Sequence, residues 1–292
     1  MTISTIGFIG LGVMGEAMCR NLATKGAWKV IAFDQKMEPL ERLRADGVGI
    51  ATSLRGLAQA SDIILMCLPG GREVEIVTEG ANGLVALMRP GQTLVDMSTA
   101  PPALMRKLAA ALAAKEGHFA DAPIARTRRA AVDGTLSIMV GASPEVFGRI
   151  KPILDTMGNE ITHCGDVGAG QVVKIMNNMV LFETTMALAE AISIAEASGV
   201  DGKLLFETMS KGSADSFALR NHGMKHLLPQ DYPEGAFSVR YAQKDLSYAR
   251  ELAREAGIKA RGADLVATLF DESILAGDGD RYTPVIRKVM KE

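Results

Sequence analysis

The chain has 292 residues, 48% hydrophobic and 23% charged, with a formal net charge of −2. That length carries roughly two domains and a core that needs neither disulfides nor structural metal. The near-neutral charge supplies no field for nucleic acid or an anionic membrane surface. Three cysteines, Cys19, Cys67 and Cys164, form neither a disulfide framework nor a ligand cluster. With no basic leader, no transit segment and no apolar run read as a membrane span, a cytoplasmic protein is expected.

In chain order the first half alternates short apolar runs with helical patterns. Strands are predicted at Ile6–Ile9, Lys29–Asp34, Asp62–Leu68, Thr93–Ser98, Phe119–Ile124, Leu136–Val140 and Ile161–Cys164. Amphipathic segments such as Met14–Lys25, Leu40–Ala45, Pro102–Glu116 and Pro144–Met157 lie between them. Continuous apolar runs such as Ile63–Leu68 suit strands covered on both faces, so the alternation predicts a doubly wound α/β sheet. After Cys164 the pattern turns helical. Gln171–Ser198 contains neither Gly nor Pro and could run as one helix of about 40 Å. Further helices are predicted at Lys203–Ser210, Arg220–Leu228, Val239–Ala256, Ala263–Leu275 and Pro284–Met290. The expected domains are a nucleotide-type α/β domain over 1–165 and an all-α C-terminal domain over 166–292.

Gly10-Leu11-Gly12-Val13-Met14-Gly15 fits the G-x-G-x-x-G pattern, directly after a strand and at the start of a helix. In that context Gly10 makes the tight turn, Gly12 lets backbone approach a pyrophosphate, and Gly15 brings helix and strand together. The phosphates belong at the helix N-terminus. Asp34 ends the next strand, where a carboxylate accepts from ribose hydroxyls and repels a 2′-phosphate. NAD is therefore expected over NADP, with Lys36 weakening the preference.

Lys174 and Asn178 lie four apart, hence on one helix face, continued by Leu181 and Thr185. In an apolar cleft such a lysine is suited to acid–base work and the amide to orienting a hydroxyl. From spacing alone, a solvated face is the commoner explanation.

Taken together, Gly7–Gly15, Leu68-Pro69, Asp96–Thr99, Asp121–Pro123, Gly134–Gly141, Lys174–Asn178 and Lys244–Leu246 resemble the β-hydroxyacid dehydrogenases, in order over nearly the whole chain. That family includes 3-hydroxyisobutyrate dehydrogenase and tartronate semialdehyde reductase. The resemblance implies a Rossmann domain followed by a helical domain. It also implies hydride transfer between a nicotinamide and a hydroxyl-bearing carbon of a small anionic substrate. It makes Lys174 the acid–base residue and Asn178 a substrate-holding residue, and it places Leu68, Pro69, Thr99 and Lys244 at the cofactor. Homodimers or homotetramers are expected on the same ground. Glu73 departs from the pattern, standing where the family often has asparagine.

A second departure follows Asp121-Ala-Pro-Ile. The family's Ser-Gly-Gly is replaced by Ala125-Arg126-Thr127. An arginine there offers a planar fork to an oxyanion, and Thr127 adds a hydroxyl. The Arg-Thr pair is similar to sulfolactaldehyde reductases of the same superfamily, which makes a sulfonate the alternative to a carboxylate. Arg126 could instead turn outward, as Arg128 and Arg129 are expected to do.

Gly212–Ser216, with Ser213 as a substrate candidate, resembles the family segment that closes over substrate, or is a plain helix connection. His222 and His226 read as surface histidines rather than a metal pair. Asp278-Gly-Asp280 reads as a turn, and the methionines of the long helix read as packing. A non-catalytic nucleotide-binding module is the alternative of another class, against which Lys174 argues. The same lysine argues against an imine reductase. Asn177, where 6-phosphogluconate dehydrogenases carry His, and the short helical half argue against that enzyme.

Overall fold

A computed structural model describes residues 3–290. The chain divides into two compact units after Lys174. Among the described residues the first unit holds nine strands: β1 Thr5–Ile9, β2 Lys29–Phe33, β3 Gly49–Ile50, β4 Ile63–Met66, β5 Thr93–Asp96, β6 His118–Asp121, β7 Ile124–Ala125, β8 Leu136–Gly141 and β9 Gly158–Gly165. They form one sheet in the order β3-β2-β1-β4-β5-β6-β8-β7, with β9 also paired to β8.

From β3 to β6 every pairing is parallel. Side chains alternate across this sheet. Ile6 and Phe8 of β1 and Ile63 and Leu65 of β4 join one core cluster. Ile9, Ile64 and Met66 join another on the opposite face. This alternation of wholly apolar strands is what a sheet covered on both faces requires. The covering helices are α1 Gly15–Lys25, α2 Met37–Arg44, α3 Leu54–Ala60, α4 Gly71–Thr78, α5 Leu84–Leu87, α6 Pro102–Ala113, α7 Arg128–Asp133 and α8 Pro144–Leu154.

The far edge departs from the expected single strand over 119–124. Pro123 has no N–H to continue a ladder, and the run breaks into β6 and β7 on either side of it. Strand β8 is antiparallel to both, and β9 returns parallel to β8. The doubly wound parallel part thus ends at β6.

Helix α9, Ala169–Ala197, begins in the first unit and continues into the second. Contrary to the expectation of no span-like segment, an 18-residue window of it reaches a mean hydropathy of 1.2, enough by length and composition to cross a membrane. Part of its apolar surface is that of a core helix. Ile175, Phe182, Leu188, Ala189 and Ile192 pack into the cluster of the second unit. That unit adds α10 Gly202–Met209, a π-helix at Leu219–Leu227, α11 Val239–Glu255, α12 Arg261–Leu275 and a 3-10 helix at Thr283–Met290. Two isolated antiparallel bridges, Glu234 to Arg281 and Ser238 to Tyr282, tie the segment before α11 to the residues before the last helix.

Candidate active site

The fingerprint glycines occupy three different environments. Gly10 has a φ of +88°, and a Cβ on it would stand 2.3 Å from the Cys67 carbonyl oxygen. A Cβ on Gly15 would stand 2.0 Å from the Gly10 carbonyl oxygen, so this glycine sets how closely α1 meets the strand. Gly12 has open space where a Cβ would be, and Val13 beside it is exposed. No side chain caps the start of α1 at Met14. An open backbone cradle before an uncapped helix N-terminus fits a pyrophosphate, so the residues present suit a dinucleotide.

Asp34 has a structural task in the same place. Its Oδ2 accepts the Leu11 N–H at 2.6 Å and its Oδ1 accepts the Lys36 N–H at 2.8 Å. The carboxylate therefore holds the fingerprint loop on β2, with lone pairs remaining for hydroxyl donors. On the neighbouring strand end, Leu68 donates its N–H to Ser98 Oγ at 2.9 Å. Pro69 follows it, exposed, and Thr99 follows Ser98, buried.

The start of α9 is fastened to this region by buried polar groups. Asp121, fully buried at the end of β6, accepts the Gly168 N–H at 2.6 Å on Oδ1 and the Gln171 N–H at 2.8 Å on Oδ2. Burial pushes its carboxyl up to about 6, against the lowering pull of those amides and of Arg106. One turn later stands Lys174, only 9% exposed. The next turn brings Asn178, at 3%, so this helix face is not a solvated one.

In the second unit Asn178 donates from Nδ2 to Asp245 Oδ2 at 2.8 Å. Asp245 is buried, and its Oδ1 lies 3.0 Å from Lys244 Nζ. That ammonium also sits over the Tyr241 ring at 4.2 Å, a cation–π contact that adds to the ion pair. Asp245 thus orients two of the expected site residues at once. Ser213 lies in the exposed stretch between α10 and the π-helix.

The Ala125-Arg126-Thr127 stretch takes a definite form. Ala125 ends β7, opposite Ser137. Arg126 has a φ of +85°, a backbone region that suits glycine and costs other residues about 1–2 kcal/mol. Its Nη1 donates to the Thr135 carbonyl and to Asn159 Oδ1, both at 2.6 Å. Its Nη2 lies 4.0 Å from a Glu160 carboxylate oxygen. Thr127 caps α7, accepting the Ala130 N–H at 3.4 Å, which leaves its hydroxyl hydrogen able to donate. Arg128 and Arg129 are exposed, and Arg129 pairs with Asp133 one turn on.

One expectation is corrected. His222 is buried rather than on the surface, with Nδ1 3.0 Å from the Tyr282 hydroxyl. Burial pushes its ring down to about 4. Helical spacing alone hid this, because the π-helix turns Leu219, His222 and Gly223 inward together. At the expected turn, Asp278 is buried and pairs with Lys288 at 2.9 Å and Arg281 at 3.0 Å.

None of the positioning groups Asp121, Gln171, Asp245 and Asn159 was given a role from the sequence, although Asp121 and Asp245 stand inside the motifs that carry the family resemblance. The available signal was a polar residue inside an otherwise apolar stretch, as at Asp121 after Phe119-Ala120.

Comparison with known proteins identifies the family. Residues 5–165 match the family described as the NAD-binding domain of 6-phosphogluconate dehydrogenase. Residues 168–288 match that described as the NAD-binding of NADP-dependent 3-hydroxyisobutyrate dehydrogenase. The chain is similar to 2-(hydroxymethyl)glutarate dehydrogenase of Eubacterium barkeri, at 34% identity over 98% of this chain and 95% of that protein. It is 36% identical to 3-hydroxyisobutyrate dehydrogenase of Pseudomonas aeruginosa, over 85% of this chain and 84% of that one. Among solved structures, Mycobacterium tuberculosis 3-hydroxyisobutyrate dehydrogenase with L-serine superposes with a TM-score of 0.90 at 27% identity, covering all of both chains. The chain belongs to the β-hydroxyacid dehydrogenase family of NAD(P)-dependent oxidoreductases acting on CH–OH groups.

Proposed function

We propose that this enzyme interconverts a short β-hydroxy acid and its semialdehyde, using NAD, with Lys174 as general acid and base. The observation that carries the reading is the nine-tenths-buried Lys174, one turn beyond the buried Asp121–Gln171 anchor and one turn before Asn178. A lysine shielded from water is placed to exchange a proton with a bound hydroxyl rather than with solvent. When bound, the nicotinamide supplies or accepts the hydride. Gly10–Gly15 would hold the pyrophosphate and Asp34 the ribose hydroxyls, while Leu68, Pro69, Thr99 and Lys244 would line the rest of the cofactor. In oxidation the neutral amine of Lys174 takes the substrate hydroxyl proton, and in reduction its ammonium returns a proton to the carbonyl oxygen. Asn178, oriented by Asp245, holds the substrate, with Ser213 covering it. Exposed apolar side chains along α9, among them Val173, Val180 and Ile194, support a homodimer or homotetramer.

NAD is favoured over NADP because the Asp34 carboxylate would face a 2′-phosphate. Asp34→Asn keeps an oxygen for the Leu11 N–H and removes the charge. We expect it to shift the NADP-to-NAD ratio of kcat/KM by about tenfold or more, equivalent to about 1.4 kcal/mol. An unchanged ratio would remove Asp34 from cofactor discrimination.

A sulfonate-bearing aldehyde is the second reading, supported by Arg126 standing in a glycine-like backbone conformation with its guanidinium held by Thr135 and Asn159. Charge-assisted bonds from that group to an oxyanion are worth roughly 1.5–3 kcal/mol. The test is NAD-coupled oxidation of short β-hydroxy carboxylates beside 2,3-dihydroxypropanesulfonate, with wild type and Arg126→Ala. Turnover confined to carboxylates, with KM raised about tenfold or more by the substitution, assigns Arg126–Thr127 as a carboxylate clamp. Turnover confined to the sulfonate moves the assignment to the second reading. An Arg126→Ala enzyme with unchanged kcat/KM returns Arg126 to a structural role, and inactivity on both sets overturns the proposed substrate class.

A further inference from the structure

The first turn of α9 holds a fully buried side chain that the proposed chemistry does not use. Gln171 donates from Nε2 to the Ser98 carbonyl oxygen at 2.8 Å, and its Oε1 accepts the Ala100 N–H at 3.1 Å. A primary amide can give and take in this way without carrying charge. The fork straddles Thr99, a proposed cofactor contact. Lys174 follows three residues later, about 4.5 Å along the helix.

The turn cannot slide. A Cβ on Gly170 would stand 2.4 Å from the Met139 carbonyl oxygen and 2.8 Å from Asp121 Oδ2, and Asp121 accepts the backbone N–H of Gln171 itself. The helix start is thereby seated on the sheet through its backbone, and joined to the 98–100 stretch through one side chain. The same Nε2 also donates to the Met105 sulfur at 3.8 Å, so the amide is engaged by three polar partners.

We infer that Gln171 is a positioning residue that makes the Ser98–Ala100 stretch and the turn bearing Lys174 move as one piece. Cofactor engagement at Thr99 then sets the placement of the lysine. The inference rests on the reading of Lys174 as the acid–base group.

Hydrogen–deuterium exchange on the full chain, with and without NADH, tests it. In the wild type, NADH should increase protection both at 97–101 and at 169–175. In Gln171→Met, which keeps volume and loses the bonds to Ser98, Ala100 and Met105, only 97–101 should respond. Its kcat should fall by about 10²-fold, the cost of a small misplacement of reacting groups, while the KM for the hydroxy acid stays within about threefold. Gln171→Glu loses the donor to Ser98 when ionised and gives the same readings if the methionine variant does not fold. Wild-type protein in which NADH leaves 169–175 unchanged overturns the coupling. So does a Gln171→Met enzyme with wild-type kcat, or one whose loss is wholly recovered on cooling, which would assign packing alone. The two readings fail separately. A Lys174→Ala enzyme that still turns over refutes the lysine assignment and the placement built on it, whereas a silent Gln171→Met beside an inactive Lys174→Ala refutes only the positioning role.

Discussion

Replacing Lys174 by alanine is expected to lower kcat by about 10²–10⁴-fold, the usual share of a positioned acid–base group, while NADH binds within a few-fold of wild type. The split follows from placement. The fingerprint glycines, Asp34 and the Leu68–Ser98 contact lie on the strand ends and do not depend on the lysine. The helix turn is held by Asp121 and Gln171, whose bonds the substitution leaves in place. Lys174→Arg should not restore turnover, because a guanidinium keeps its proton and cannot serve as a base. Stopped-flow hydride transfer and NADH fluorescence titration check the two halves. A kcat within a few-fold of wild type would refute the role.

The largest effect on stability is expected at Arg287. This residue is 4% exposed, and its guanidinium donates to the Leu227 carbonyl and to the Glu196 carboxylate. One side chain thus joins the 3-10 helix, the π-helix and the end of α9. Arg287→Ala leaves the Leu227 carbonyl without this donor and removes the packed stem. Glu196 is about a third exposed and can be rehydrated, so the cost falls below that of a wholly buried pair, at about 2–3 kcal/mol. Chemical denaturation followed by far-UV circular dichroism reads it. A loss under about 0.5 kcal/mol, the range of ordinary surface substitutions, would show that the three segments are held by apolar packing alone.

Most of the fold was legible because its elements carry one dominant signal. β4 is apolar at every position and buried at every position. α9 was expected over 171–198 and is found at Ala169–Ala197, since nothing in that stretch breaks a helix. The short elements carried no such signal. β3 has two residues and α5 has four, too few for any periodicity. α4 opens on Gly70-Gly71, which reads as a turn. The antiparallel turn at β8 was hidden because a strand's direction relative to its neighbour is a property of pairing, not of its own pattern.

The candidate site divides the same way. The glycines and Asp34 stand out by spacing and context, whereas Lys174 stood out only through the family resemblance, its spacing alone suiting a solvated face. The groups that hold them do not stand out, because a buried Asp245 or Gln171 looks locally like any polar residue on an amphipathic helix. Only tertiary contact reveals that Asp245 orients Asn178 and Lys244. Arg126 shows the converse. Its sequence position left an anion clamp and an outward-turned side chain both open, and its bonds to Thr135 and Asn159 and its positive φ became visible only in three dimensions.

The uninterrupted α9 has a consequence for anyone rebuilding this protein. The boundary between the compact units falls between Lys174 and Ile175, inside a helix of 29 residues. A chimera spliced at that boundary would take Lys174 from one parent and Asn178 from the other, with their relative rotation set by the register of the graft. Inserting a single residue there would turn the two apart by about 100°. Recombination that preserves the pair must therefore cross over outside 174–178, away from the boundary between the units.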